Sequence, residues 1–179
     1  LCEARKATRD LNLEENINKV TYRPFDERFI FYHQSLIARP VYDIMRHMMK
    51  DNLAIISGRN WSSVGSEKYD LVFCTKGMLD LNFNRRGGAI LFPLYLYKQV
   101  SKKVHFQSML LFEPEGKYET KDRMPNIDRR LYEALNKTYH QELTPEEILY
   151  YIYGIFYSNL YRQKYAEFLK IDFPRVPFT

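Results

Sequence analysis

The 179-residue sequence predicts an α+β fold, a mixed, largely antiparallel sheet with flanking helices and a C-terminal helical cluster. Three observations predict it. Short runs of apolar, aromatic and β-branched residues recur through the first two thirds of the chain, separated by polar segments with Gly, Pro and Asn. From Asn126 the apolar spacing turns helical, with Ile127, Leu131, Ala134 and Leu135 on one face. Thr144-Pro145-Glu146-Glu147 then forms a capping box with Pro at the first helical position. We divide the chain into a helical lead-in and sheet-based portion over 1–125 and a helical portion of the same domain over 126–179.

The elements follow in order. Residues 1–20 are charged and helical in pattern, without a start signal, as in a fragment cut from a longer polypeptide. Pro24 marks a turn, after which Phe29, Ile30, Phe31 and Tyr32 read as a strand. Pro40 starts a helix whose core face carries Val41, Ile44, Met45 and Met48. Strands are predicted at 52–57, 69–75, 89–97 and 104–112, and Pro93 confines the third of these to an edge or a bulge because it has no amide hydrogen. The helix opened by the capping box places Ile148, Tyr151, Ile152, Ile155 and Phe156 on one face. A second helix after Ser158-Asn159 does the same with Tyr161, Tyr165, Phe168 and Leu169, and the chain leaves extended through Pro174 and Pro177. These aromatic stripes predict packing, with the tyrosine hydroxyls reaching water or partners.

Composition excludes several classes. With 45% hydrophobic and 16% aromatic residues the chain is globular. The longest apolar run, from Ile148 to Tyr157, is about half of a membrane span, so a soluble, cytoplasmic protein without a membrane partner is predicted. Cys2 and Cys74 have neither disulfide-framework nor metal-ligand spacing, and no metal site is predicted. Lys and Arg exceed Asp and Glu by 27 to 22, and the window from Lys76 to Lys103 holds six basic residues against Asp80 alone. That excess of five equals the net charge of the whole chain and suits a phosphate backbone, although a solvated face fits the charge equally well.

No phosphate-cradling glycine loop, zinc-protease helix or nucleophile elbow is present, and no short Asn-Pro-Pro-aromatic type motif is available to hold a flipped adenine. His33, His47, His105 and His140 are scattered, and a structural role is predicted for those in apolar surroundings. Glu115 and Lys117 have the spacing that ends a metal-dependent nuclease motif, but no Pro-Asp pair precedes them. A nuclease therefore stands as an alternative, as does a protein-interaction module docking through the tyrosine-rich helices, while no catalytic residue is assigned. Duplex DNA binding needs less: cations for phosphates and forked donors and acceptors for base edges. The loops "SGRNWSS" and "NFNRRGG" supply them, with Arg59 or Arg86 suited to guanine, Asn60 or Asn84 to adenine, and Ser62 and Arg85 beside them. Lys76, Lys98, Lys102 and Lys103 are the predicted phosphate contacts, and Trp61 is either a stacking residue or part of the core.

"YRPFDERFIFY" at 22–32, "FPLYLY" at 92–97 and the aromatic block from Tyr151 to Phe178 resemble, in order and spacing, the C-terminal target-recognition domain of type ISP restriction-modification enzymes and related N6-adenine DNA methyltransferases. The resemblance covers nearly the whole chain and implies double-stranded DNA as partner. It further implies a methyltransferase domain, nuclease and translocase upstream in the same polypeptide, and a bacterial cytoplasmic setting. Cofactors would be absent from this segment, with S-adenosylmethionine, ATP and Mg bound by the parent. The matching blocks are scaffold, and the intervening Arg- and Asn-bearing loops would read the target.

Overall fold

The computed structural model describes residues 11–12, 14–58, 69–84, 88–98 and 122–178. β1 (Ile17–Arg23) and β2 (Asp26–Phe31) form an antiparallel hairpin, and β1 also pairs in parallel with β5 (Met78–Leu79). Of the predicted helical lead-in, residues 1–10 and 13 lie outside the described residues, and the rest is corrected here: residues 14–16 make one 3-10 turn, and Ile17 onward is strand. The physical reason is tertiary. Val20 and Thr21 are buried by pairing on both sides, which outweighs the helical pattern of the charges before them.

A second sheet has the order β4-β3-β6, all antiparallel, from β3 (Ala54–Gly58), β4 (Phe73–Thr75) and β6 (Ala89–Pro93). All five residues of β3 are buried, as its central position and continuous apolar run require. Pro93 sits at the end of β6, an edge strand of this sheet, in keeping with the restriction that proline imposes. The run predicted as one strand at 89–97 breaks at Leu94: β7 (Tyr95–Tyr97) pairs instead with β8 (Arg123–Pro125). Of the run 69–75 only its end is strand, although Tyr69, Leu71 and Val72 are buried. The fold is α+β as predicted, but among the described residues the single sheet anticipated is three small sheets, and the predicted strand at 104–112 lies outside them.

Buried polar groups join the sheets. The Thr21 and Thr75 hydroxyls hydrogen-bond to each other between the first two. Asn52 donates to the His47 and Tyr95 carbonyls at 3.1 and 2.8 Å and accepts from the Tyr95 amide, fixing β7 beside the segment that enters β3. His47, only 3% exposed, accepts the Tyr97 amide on Nδ1 at 2.8 Å, the structural role its apolar setting predicted. The helix after Pro40 is short. α1 (Tyr42–Met45) passes into a 3-10 turn at Arg46–Met49, and Val41, assigned to the core face, instead caps the helix with φ 45° and lies exposed.

α2 (Arg129–Tyr139) is capped by Asp128, whose side chain accepts from the amides of Arg130 and Leu131. Leu135 is its buried residue, while Leu131 and Ala134 are exposed. α3 (Pro145–Tyr157) begins at the predicted capping box: Thr144 accepts from the Glu147 amide at 3.2 Å and Glu147 accepts from the Thr144 amide at 2.7 Å. These bonds hold the Glu147 carboxyl below its ordinary pKa. Leu149 and Phe156 of α3 pack with Ile55, Val72 and Leu94 in one core cluster, and Ile148 is buried as well, so the helix seals the β3-β6 side of the molecule.

The predicted last helix is two, α4 (Asn159–Lys164) and α5 (Ala166–Ile171), with a break at Tyr165. Tyr161 and Leu169 are buried, but Phe168 is 73% exposed, because the break rotates α5 away from a continuous stripe. The tyrosines latch as well as pack. Tyr157 donates to the Val72 carbonyl, Tyr161 to that of Arg175 and Tyr151 to that of Pro177, at 2.7, 2.7 and 2.8 Å, so the extended tail is tied to the helices.

Candidate nucleic-acid interface

Two polar segments assigned to target reading join the described structure at one end of the β4-β3-β6 sheet. Segment 59–68 leaves from Gly58, the last residue of β3, and returns at Tyr69. Segment 85–87 leaves from Asn84 and returns at Gly88, one residue before β6. Gly58 is paired in register with Ala89, so both departures lie side by side. The approach is close enough that a Cβ on Gly58 would stand 2.8 Å from the Gly88 carbonyl oxygen. Gly88 itself has φ 81°, a conformation that costs only glycine nothing. Glycine is therefore required at both positions, for space at one and for backbone conformation at the other.

Buried groups brace this junction. The Tyr69 hydroxyl hydrogen-bonds with Ser57 Oγ at 2.9 Å and, more weakly, donates to the Gly58 carbonyl at 3.4 Å, which closes the base of segment 59–68. Burial pushes the Tyr69 hydroxyl up to about 12, so it stays a neutral donor. Phe83 packs edge-on to Phe73 with ring centroids 5.1 Å apart and holds the stem of segment 85–87 against β4. The adjacent Asn84 points inward. It is 6% exposed, and its Nδ2, buried and without a hydrogen-bond partner among the described residues, lies 3.5 Å from the place a Gly58 Cβ would take. Asn84, expected at a base edge, is buried here beside Phe83, which is anchored in the core.

Lys76 is exposed in the turn between β4 and β5, next to Thr75, which pairs with Ala54 at the far end of β3. Four residue steps along β3 separate that end from Gly58, about 13 Å of rise. Lys98 is exposed past the end of β7, beyond the same far end of β6, and its amide donates to the Asp122 carbonyl at 3.0 Å. The structure thus places the attachment points Gly58 and Gly88 side by side and sets Lys76 apart from them by about one major-groove width. Arg59, Asn60, Trp61, Ser62, Arg85, Arg86, Lys102 and Lys103 lie outside the described residues, as do Glu115 and Lys117 of the nuclease alternative.

Sequence reasoning missed Gly58, Ser57 and Tyr69 as parts of the site. The signal available was a glycine at the end of one strand run and another before the next, each beside an Arg-bearing segment. A separate apolar cleft of about 560 Å³ lies between β6, α3 and the tail, around Phe92, Ile152 and Phe173. None of its lining residues is titratable, so it offers no acid or base. No group of His, Cys, Asp and Glu among the described residues is arranged to hold a metal, and no helix among them is long and apolar enough to cross a membrane.

A family model for the type ISP C-terminal specificity domain matches residues 3–179. The chain belongs to this family. The description assigns specificity, rather than catalysis, to this part of a type ISP protein. Solved structures share the fold of this specificity domain. The DrdV–DNA complex, determined by electron cryo-microscopy, aligns with a TM-score of 0.69 and 23% identity over 95% of this chain and 14% of its own. The ATP-dependent type ISP restriction-modification enzyme LlaBIII bound to DNA aligns with a TM-score of 0.64 and 23% identity over 98% of this chain and 10% of its own. A nuclease-deletion mutant of the type ISP enzyme LlaGI, in complex with a DNA substrate mimic, gives 0.58 and 24% over 97% and 13%. The specificity domain thus spans only about a tenth to a seventh of the length of the solved chains it matches. A search of curated proteins finds no match.

Proposed function

We propose that this specificity domain reads a duplex DNA sequence on behalf of a type ISP restriction-modification polypeptide, and that the reading is done from the Gly58–Gly88 end of the β4-β3-β6 sheet. The observation that carries the location is the junction itself: two Arg- and Asn-bearing segments leave a rigid sheet side by side, braced by Tyr69 and Phe83. Segments so mounted hold their side chains in one register to a groove, which bidentate base contacts demand.

In this reading Arg59, Asn60, Ser62, Arg85 and Arg86 meet base edges, each good bidentate contact contributing about 1–3 kcal/mol of discrimination. Asn84 supports them from beneath. Lys76, Lys98, Lys102 and Lys103 meet phosphates. Lys76, set off from the junction by about a groove width, suits a strand across the groove from the bases being read. An adenine-N6 methyltransferase domain in the same polypeptide carries out the chemistry on a flipped adenine. S-adenosylmethionine, ATP and Mg serve that polypeptide outside this domain, and the setting is the bacterial cytoplasm.

The test is methylation mapping of DNA from cells expressing the intact polypeptide, by sequencing that detects N6-methyladenine. Wild type should give one asymmetric motif, and Arg59→Ala and Arg86→Ala should lose or relax it while the protein stays folded. An unchanged motif removes those arginines from the interface, and an absence of any methylated motif overturns the reading.

A further inference from the structure

The β1–β2 hairpin ends in Pro24-Phe25, and the Phe25 ring is 98% exposed on a backbone with φ 63°. Folding gains almost nothing from this side chain, and the left-handed conformation disfavours any residue with a Cβ. A glycine or asparagine would serve the turn better. A large aromatic group kept at a strained, fully exposed tip is presented outward, to something other than this domain's core.

The position of the tip says what it meets. Phe25 lies edge-on to Phe73 at 6.2 Å between ring centroids, and Phe73 lies edge-on to Phe83, the residue before Asn84. Phe73 pairs with Ile56, two residues from Gly58. Ile56 is the middle residue of β3, and from there the Phe73 and Phe83 rings link the hairpin tip to Asn84 at the Gly58–Gly88 junction. Its surroundings are polar but balanced: Arg23 pairs with Asp80, Arg28 with Asp26 and Lys19 with Glu27, so these three carboxylates of the described residues are each neutralised by a cation. The Arg23 and Arg28 guanidinium groups also cover the Tyr22 ring, at 3.9 and 4.0 Å. The other exposed ring of the hairpin, Phe29 at 72%, lies four residues further along β2, so the tip presents one ring framed by charged groups, which suits insertion between stacked bases.

We propose that Phe25 is a DNA wedge: its ring stacks into a base step of the duplex next to the bases read from the Gly58–Gly88 end. Such a wedge eases local unstacking without reading sequence itself. This rests on the DNA-reading function proposed above. The experiment compares the intact polypeptide with its Phe25→Ala and Phe25→Trp variants for binding to a labelled duplex that carries its methylated motif, with melting temperature measured in parallel. Phe25→Ala should weaken binding about 5- to 100-fold, the range found for removal of a base–aromatic stack, with the motif and the melting temperature unchanged, and Phe25→Trp should bind as wild type. Wild-type affinity in Phe25→Ala overturns the wedge and leaves the DNA-reading function standing. A lowered melting temperature with unchanged affinity places Phe25 against another part of the polypeptide and also overturns it. Failure of the wild type itself to bind duplex removes both proposals.

Discussion

Gly58→Ala tests the junction directly. The new methyl would meet the Gly88 carbonyl oxygen at 2.8 Å, several tenths of an ångström inside contact, with Asn84 Nδ2 next at 3.5 Å. Gly88 cannot easily retreat, because its φ of 81° and the pairing of Gly58 with Ala89 hold both backbones in place. Overpacking of this kind costs about 1–3 kcal/mol. The loss of glycine's freedom in the unfolded chain offsets about 0.5–1 kcal/mol of it. For a domain of this size the net cost, about 1.25 kcal/mol between the midpoints of these ranges, lowers the melting temperature by about 2.5–5 °C. Gly154→Ala is the control, since a methyl there meets nothing within 4 Å inside α3 and removes a glycine from a helix interior. It should raise the melting temperature by about 1–4 °C. Thermal unfolding of the two variants beside wild type, followed by circular dichroism, distinguishes space from propensity. If Gly58→Ala melts at or above wild type, the close approach of β3 to the start of segment 88–93 does not constrain the junction as described.

The other predictions concern the scaffold. Burial, with Arg46 nearby, lowers the His47 pKa from its ordinary value, so the folded state takes up a proton later than the unfolded chain does. Stability is full above the unfolded histidine value near 6.5 and falls as the pH drops below it; His47→Asn, which keeps an acceptor for the Tyr97 amide, should flatten the melting temperature between pH 7.5 and about 5.5. Thr144→Ala removes the capping oxygen from Glu147 and should cost about 1 kcal/mol, or about 2–4 °C in thermal melts, whereas Thr144→Ser should retain most of it. The double variant Tyr151→Phe, Tyr161→Phe loses the hydrogen bonds to the Pro177 and Arg175 carbonyls, at about 1 kcal/mol each. Its melting temperature should fall by about 4–8 °C, and an unchanged one would show that ring packing alone holds the tail.

What the sequence determined by itself was local chemistry. The capping box at Thr144–Glu147, the break at Ser158 and the edge position of Pro93 each depend on groups within a few residues of one another, so spacing reveals them. The family was equally legible, because its marks are blocks of sequence. The tertiary structure alone decided which strands pair. Ile17–Arg23 became a strand through partners at 26–31 and 78–79, and the run at 89–97 divided between two sheets because Leu94 turns to bond Leu53 and Asn126. The adjacency of Gly58 and Gly88, where the two Arg-bearing segments attach, also arose there, from a β3–β6 register that joins residues far apart in the chain. Asn84 shows the same limit. Its residue type suits a base edge, yet Phe83 beside it is drawn into the core and turns the amide toward Gly58, and burial is a property of neighbours that composition and spacing do not carry.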